Sequence, residues 1–111
     1  MRMNMELRDG EKIVKEGPAN LQRGIEAVGG KLFLTTQRLV FTSHKFNVQT
    51  GSTNIEVKNI QSCQPRWTKF LGVIPLIPNS LAVLATDGKE YCFVLYGREK
   101  WAAEIEAQKN A

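Results

Sequence analysis

The chain has 111 residues, 42% apolar and 23% charged, a composition that suits one domain with one core and excludes a disordered segment. Fifteen basic residues against 11 acidic ones leave a net charge of +4, a mild bias toward anionic partners. The basic residues are scattered rather than striped, which argues against nucleic acid.

Residues 1–18 read as a polar lead-in punctuated by Gly10 and Gly17-Pro18, ahead of a single domain over 19–111. Charges run through MRMNMELRDGEKIVKEG, so no signal-peptide core is expected there. Leu21, Arg23, Ile25 and Ala27 alternate with Gln22, Gly24 and Glu26, a period-2 pattern that predicts a strand ending at Gly29-Gly30. Lys31 to Thr35 and Arg38 to Ser43 follow, rich in leucine, phenylalanine and threonine around Thr36-Gln37. Short apolar runs with so brief a connection predict an antiparallel hairpin.

After a polar loop, Asn54 to Lys58 predicts a short strand carrying Ile55 and Val57, and Ile60 to Trp67 another. Pro65 inside the latter favours an edge position. TKFLGVIPLIPN, residues 68–79, breaks the rhythm with Pro75 and Pro78 and reads as an apolar loop. Its longest apolar run, Phe70 to Ile77, falls far short of the roughly 20 residues of a spanning helix. Ser80 to Thr86 and Glu90 to Tyr96 flank Asp87-Gly88, a pair that suits a tight mirror-type hairpin turn. Gly97 ends the β region, and Arg98 to Lys109 predicts a helix with Trp101 and Ile105 on one stripe. Seven strands and a terminal amphipathic helix imply a mainly β protein: a bent antiparallel sheet or barrel with the helix over its open end.

Little in the sequence points to a reaction. His44 is the only histidine and has no evident acid–base partner. Cys63 and Cys92 lack the spacing of a metal knuckle or redox pair, and each sits in a β-like run as a small apolar residue. No ligand set for a metal and no phosphate-cradling glycine loop is present. The reading is therefore a non-enzyme with no cofactor, in a reducing, cytoplasmic compartment.

The stretch GKLFLTTQRLVF, Gly30 to Phe41, resembles the signature of the GRAM domain. Ile55 to Ile60, Gly72 to Pro75, Asp87-Gly88, Phe93-Val94, Arg98 and Trp101 resemble, in order, the later elements of small stand-alone bacterial GRAM-like proteins. The resemblance spans roughly residues 11–107. It implies the pleckstrin-homology-like fold, a bent seven-stranded antiparallel barrel capped by a C-terminal helix. It also implies a non-catalytic interaction module that binds a protein or a membrane surface.

Two sets of residues are candidates for that binding. Arg23, Lys31 and Lys45 lie near predicted loops and could meet an anion. Arg66, Trp67, Lys69, Phe70 and Leu71 combine charge with an apolar loop that suits a membrane or protein contact. Arg38, Asp87, Gly88, Trp101 and Ile105 are assigned to structure. An open sheet edge offers a further route to a protein partner, and self-association is a third. The competing reading is a small-molecule carrier or cryptic enzyme with a pocket in the barrel. The expected location is cytoplasmic, or peripheral at the membrane.

Overall fold

Alternating apolar residues build seven strands, and a computed structural model shows how they pair. It describes residues 6–23, 26–43, 52–68 and 77–111, with the backbone alone at 23, 26, 66–68 and 77–79. The strands are β1 (Ile13–Arg23), β2 (Glu26–Thr35), β3 (Arg38–Ser43), β4 (Ser52–Glu56), β5 (Ile60–Thr68), β6 (Ile77–Ala85) and β7 (Glu90–Leu95). A 3-10 turn, Val57–Asn59, joins β4 to β5, and one helix, α1 (Arg98–Lys109), ends the chain.

The strands form one antiparallel sheet in the order β4-β3-β2-β1-β7-β6-β5. The sheet is open, which corrects the expected barrel. The physical reason lies in strand direction. In a row of seven antiparallel neighbours the two edge strands, β4 and β5, run the same way. Closure would need a parallel β4–β5 ladder, and parallel partners need a crossover of roughly a dozen residues. Only the three residues Val57–Asn59 connect them. Strand count and hairpin chemistry, the basis of the sequence reading, carry no information about that closing pair.

The sheet nonetheless bends across its middle. β3 and β7 are three steps apart in the order, or roughly 14 Å in a flat sheet at about 4.8 Å per step. Yet the rings of Phe41 and Phe93 lie with centroids 6.0 Å apart. The hinge is β1, which pairs with β2 from Ile13 to Arg23 but with β7 only from Ala19 to Gln22. Leu32, Leu34 and Leu39 from one arm and Leu81, Val83 and Phe93 from the other are fully buried in a single core. Side chains fill the space between the arms.

The helix covers this core where β5, β6 and the 3-10 turn meet. Trp101 and Ile105 are buried, four residues apart and so on one face. The Nζ of Lys15 stands 5.2 Å over the Trp101 ring.

Several local readings need adjustment: β1 begins at Ile13, inside the expected lead-in, and of the loop expected over 68–79 Thr68 belongs to β5 and 77–79, Pro78 included, to β6. The strand expected from Leu21 to Gly29-Gly30 is instead divided between β1, which ends at Arg23, and β2, which starts at Glu26 and runs on through Gly30, a place of close approach and not a turn. A Cβ on Gly30 would lie 2.1 Å from the Thr42 carbonyl oxygen. The strand expected over Asn54 to Lys58 stops at Glu56, where the 3-10 turn begins. The Asp87-Gly88 turn is one residue wider than the mirror type. Gly88 N–H donates to the Ala85 carbonyl at 3.0 Å, and Ala85 N–H to that of Lys89 at 2.8 Å. Gly88 carries the positive φ, 92°, as in a three-residue hairpin loop closed by a left-handed glycine. Pro65 does lie in an edge strand, β5.

Candidate functional site

The turn of the β2–β3 hairpin holds a polar network, built where local sequence pattern gave no hint of one. Thr35 ends β2 and turns its hydroxyl into the hairpin, where it accepts from the N–H groups of Gln37 and Arg38, each at 3.0 Å. The same hydroxyl donates to Glu11, whose carboxylate is wholly buried although it comes from the lead-in. Arg38 grips that carboxylate with Nε at 2.8 Å and Nη2 at 3.1 Å. Its Nη1 reaches Asn54 Oδ1 on β4 at 2.8 Å, and Nη2 also reaches the Glu6 carbonyl at 2.8 Å. The Arg8 N–H completes the cage on Glu11 at 2.7 Å.

These contacts fix the charge states. The Arg38 guanidinium, against the opposing cost of burial, holds the Glu11 carboxyl down at about 2. Arg8 donates to both carboxylate oxygens of Glu56 on β4 and holds that group below its ordinary value. A charged clasp thus ties residues 6–11 to β2, β3 and β4. Arg38 belongs to this clasp. Glu11, Thr35, Arg8, Glu56 and Asn54 were missed by the sequence reading.

The anion candidates are dispersed. Lys31 lies beside Glu16 at 2.8 Å and stands 5.4 Å over the Phe33 ring, so its charge is met within the fold. Arg23 ends β1, with its backbone alone described, and Lys45 lies outside the described residues. Arg66 and Trp67 are likewise described by backbone only, near the end of β5, while Lys69, Phe70 and Leu71 lie outside the described residues. β5 runs antiparallel to β1. Through the β5–β6, β6–β7 and β7–β1 registers, Arg66 lies level with Asn20, three residues before Arg23 on β1 and three strands away.

Chemistry is sparse here. Cys63 donates weakly to the Ala102 carbonyl and the Glu106 carboxylate, each at 3.7 Å. Burial, and then the nearby Glu106 charge, push its thiol up to about 11, so it stays protonated. Among the described residues no group of three or more His, Cys, Asp or Glu side chains could hold a metal ion. His44 lies outside the described residues. A shallow groove of about 240 Å³ is lined by Pro18, Asn20, Gly30, Val94 and Tyr96. A more polar one of about 440 Å³ lies between Arg8, Gln37, Glu56, Lys58, Gln108 and Lys109. Both are open to solvent, and neither brings together a nucleophile and a base. Among the described residues no helix is long and apolar enough to cross a membrane.

Comparison with known proteins agrees with this geometry. A family model described as the GRAM domain matches residues 1–93. No curated protein sequence matches the chain. Among solved structures, the C-terminal domain of an unknown protein from Leishmania infantum superposes with a TM-score of 0.74 at 16% identity, covering 93% of this chain and 88% of that one. The Vps36 N-terminal PH domain gives 0.67 at 16% identity, with 95% and 83% covered. The Slm1 PH domain in complex with phosphoserine gives 0.65 at 11% identity, with 89% and 97% covered. At these identities the likeness establishes the fold.

Proposed function

The chain belongs to the GRAM domain family, and we propose that it is a non-catalytic binding module that takes a protein partner on the rim and edges of its sheet, in the cytoplasm. The observation that carries this is the internal use of four described cations. Lys31 is met by Glu16, Arg38 by Glu11, Arg8 by Glu56, and Lys109 by the Gln61 carbonyl. Those four are answered within the fold and offer little to an anionic headgroup, while Lys12, Lys89 and Lys100 make no such side-chain contact among the described residues and fall on separate elements. The filled core speaks against a carrier or an enzyme pocket between the arms.

A second reading is supported by sequence. Arg66, Trp67, Lys69, Phe70 and Leu71 combine charge and apolar side chains as a peripheral membrane contact would. Arg23 and Lys45 would add to an anionic contact only if they reached the same surface. Co-sedimentation with phosphatidylcholine vesicles, with and without phosphatidylserine, separates the readings. The protein-partner reading expects the chain to stay in the supernatant with both, while crosslinking in native lysate captures a protein. Salt-sensitive sedimentation with the anionic vesicles, lost in Phe70→Asp and Leu71→Asp, would overturn it in favour of the membrane.

A further inference from the structure

The two edges of the open sheet are not equivalent, and we propose that β4 pairs with β4 of a second copy of this chain, in a two-fold antiparallel ladder centred on Asn54. The β3–β4 ladder runs without irregularity from Arg38↔Glu56 to Thr42↔Ser52. Just beyond it, Val57 N–H donates to the Gln37 carbonyl at 2.9 Å. Bonded and non-bonded pairs alternate in an antiparallel ladder. Thr53 and Ile55 therefore spend their backbone groups on β3, while Ser52, Asn54 and Glu56 direct theirs outward. Among the described residues no strand lies beyond β4.

Such a row is satisfied by water or by another strand, and this edge is complementary to itself. A two-fold axis at Asn54 sets Asn54 against Asn54, Ser52 against Glu56 and Thr53 against Ile55. The outward row of one copy then meets the outward row of the other in bonded pairs. Glu56 faces a serine, so like charges do not oppose each other, and the β-branched Thr53 and Ile55 become cross-strand neighbours. The Asn54 side chain is already held, accepting from Arg38 and donating to Ser52 Oγ at 3.3 Å. Because the contact is isologous, it closes at two subunits and does not propagate.

β5 offers no such edge. Pro65 lacks an N–H, the β5–β6 register shifts twice, and Lys109 Nζ occupies the Gln61 carbonyl at 2.9 Å. These features blunt an edge against pairing.

Sedimentation velocity on the wild-type chain, from about 10 μM to about 1 mM, tests the proposal. The expected result is a shift from monomer to dimer. Asn54→Pro removes an outward N–H and no β3 bond, so it should keep the far-UV spectrum of the wild type while remaining monomeric. Asn54→Cys gives a readout that needs no proline in the strand. Facing Cα atoms in a bonded pair stand about 5.5 Å apart, within the reach of a disulfide. Mild oxidation should then yield a covalent dimer, whereas Asp87→Cys, in an exposed turn, and the wild type should not. A wild type monomeric at the highest concentration, a dimer that survives Asn54→Pro, or no Asn54→Cys crosslink each overturns the proposal. A monomeric wild type that still captures a protein partner sinks this inference alone.

Discussion

The two ends of the chain hold the sheet by opposite means. At the C-terminus, α1 lays Trp101 and Ile105 into an apolar core. At the N-terminus, residues 6–11 are tied down by the buried carboxylate of Glu11 and the guanidinium of Arg38. The cap depends on area removed from water, which is non-directional and tolerant of small shifts. The clasp depends on hydrogen bonds with fixed partners. Removing one partner strands a buried charge, a larger penalty than the intact pair's net contribution.

Truncating each end gives the largest contrast. Trp101→Ala deletes the main apolar contact of the cap and should cost roughly 3–5 kcal/mol, read as a lowered urea midpoint. An unchanged midpoint would mean the helix is not a structural cap. Arg38→Ala leaves Glu11 unanswered and should cost about 3 kcal/mol, the lower end for a buried pair because the Arg38 side chain is 13% exposed. The sharper result is the double variant Glu11→Leu with Arg38→Met, expected to be more stable than Arg38→Ala alone. If it is less stable, the clasp contributes net stabilisation beyond satisfying its own charges.

The cap was legible in the sequence and the clasp was not. Trp101 and Ile105 are four residues apart and report helical periodicity directly, and the predicted helix over Arg98 to Lys109 matches α1. The Thr36-Gln37 reversal was equally local, since Leu34 faces Leu39 across it. Glu11 and Arg38 are 27 residues apart, and no local pattern marks one glutamate in a polar lead-in as buried. The open sheet was hidden for a related reason. Whether β4 meets β5 is a fact about strand direction across the whole order, not about any segment. Gly29-Gly30 misled because glycine serves both turns and close approaches, and only the facing Thr42 carbonyl tells them apart. The binding candidates were legible as residue types, but the pairing of Lys31 with Glu16 became visible only with the β1–β2 register.

That glycine supplies a smaller test of the arm between the two ends. Gly30→Ala puts a methyl against the Thr42 carbonyl and the Phe41 ring, and should cost about 1–3 kcal/mol through overpacking. Acid separates clasp from cap more gently. Glu11 is held at about 2 in the fold against an ordinary 4.5. Its contribution is fully present above pH 4.5 and is lost as pH falls from there through about 2. Thermal melts across that window should show a steep acid limb in the wild type and a flatter one in Glu11→Gln. Equal slopes would remove Glu11 from the account. The smallest effect concerns Cys63. With its thiol pushed up to about 11, it should react with iodoacetamide at pH 8 far more slowly than free cysteine.

Amide hydrogen exchange along β4, at a dilution where the chain is monomeric, tests most directly whether the sheet is open with its working edge outward. An open β4 edge gives alternation: slow exchange at Thr53, Ile55 and Val57, and fast exchange at Ser52, Asn54 and Glu56. Uniform protection of all six amides in the monomer would contradict it, because something would then already be bonded along that edge.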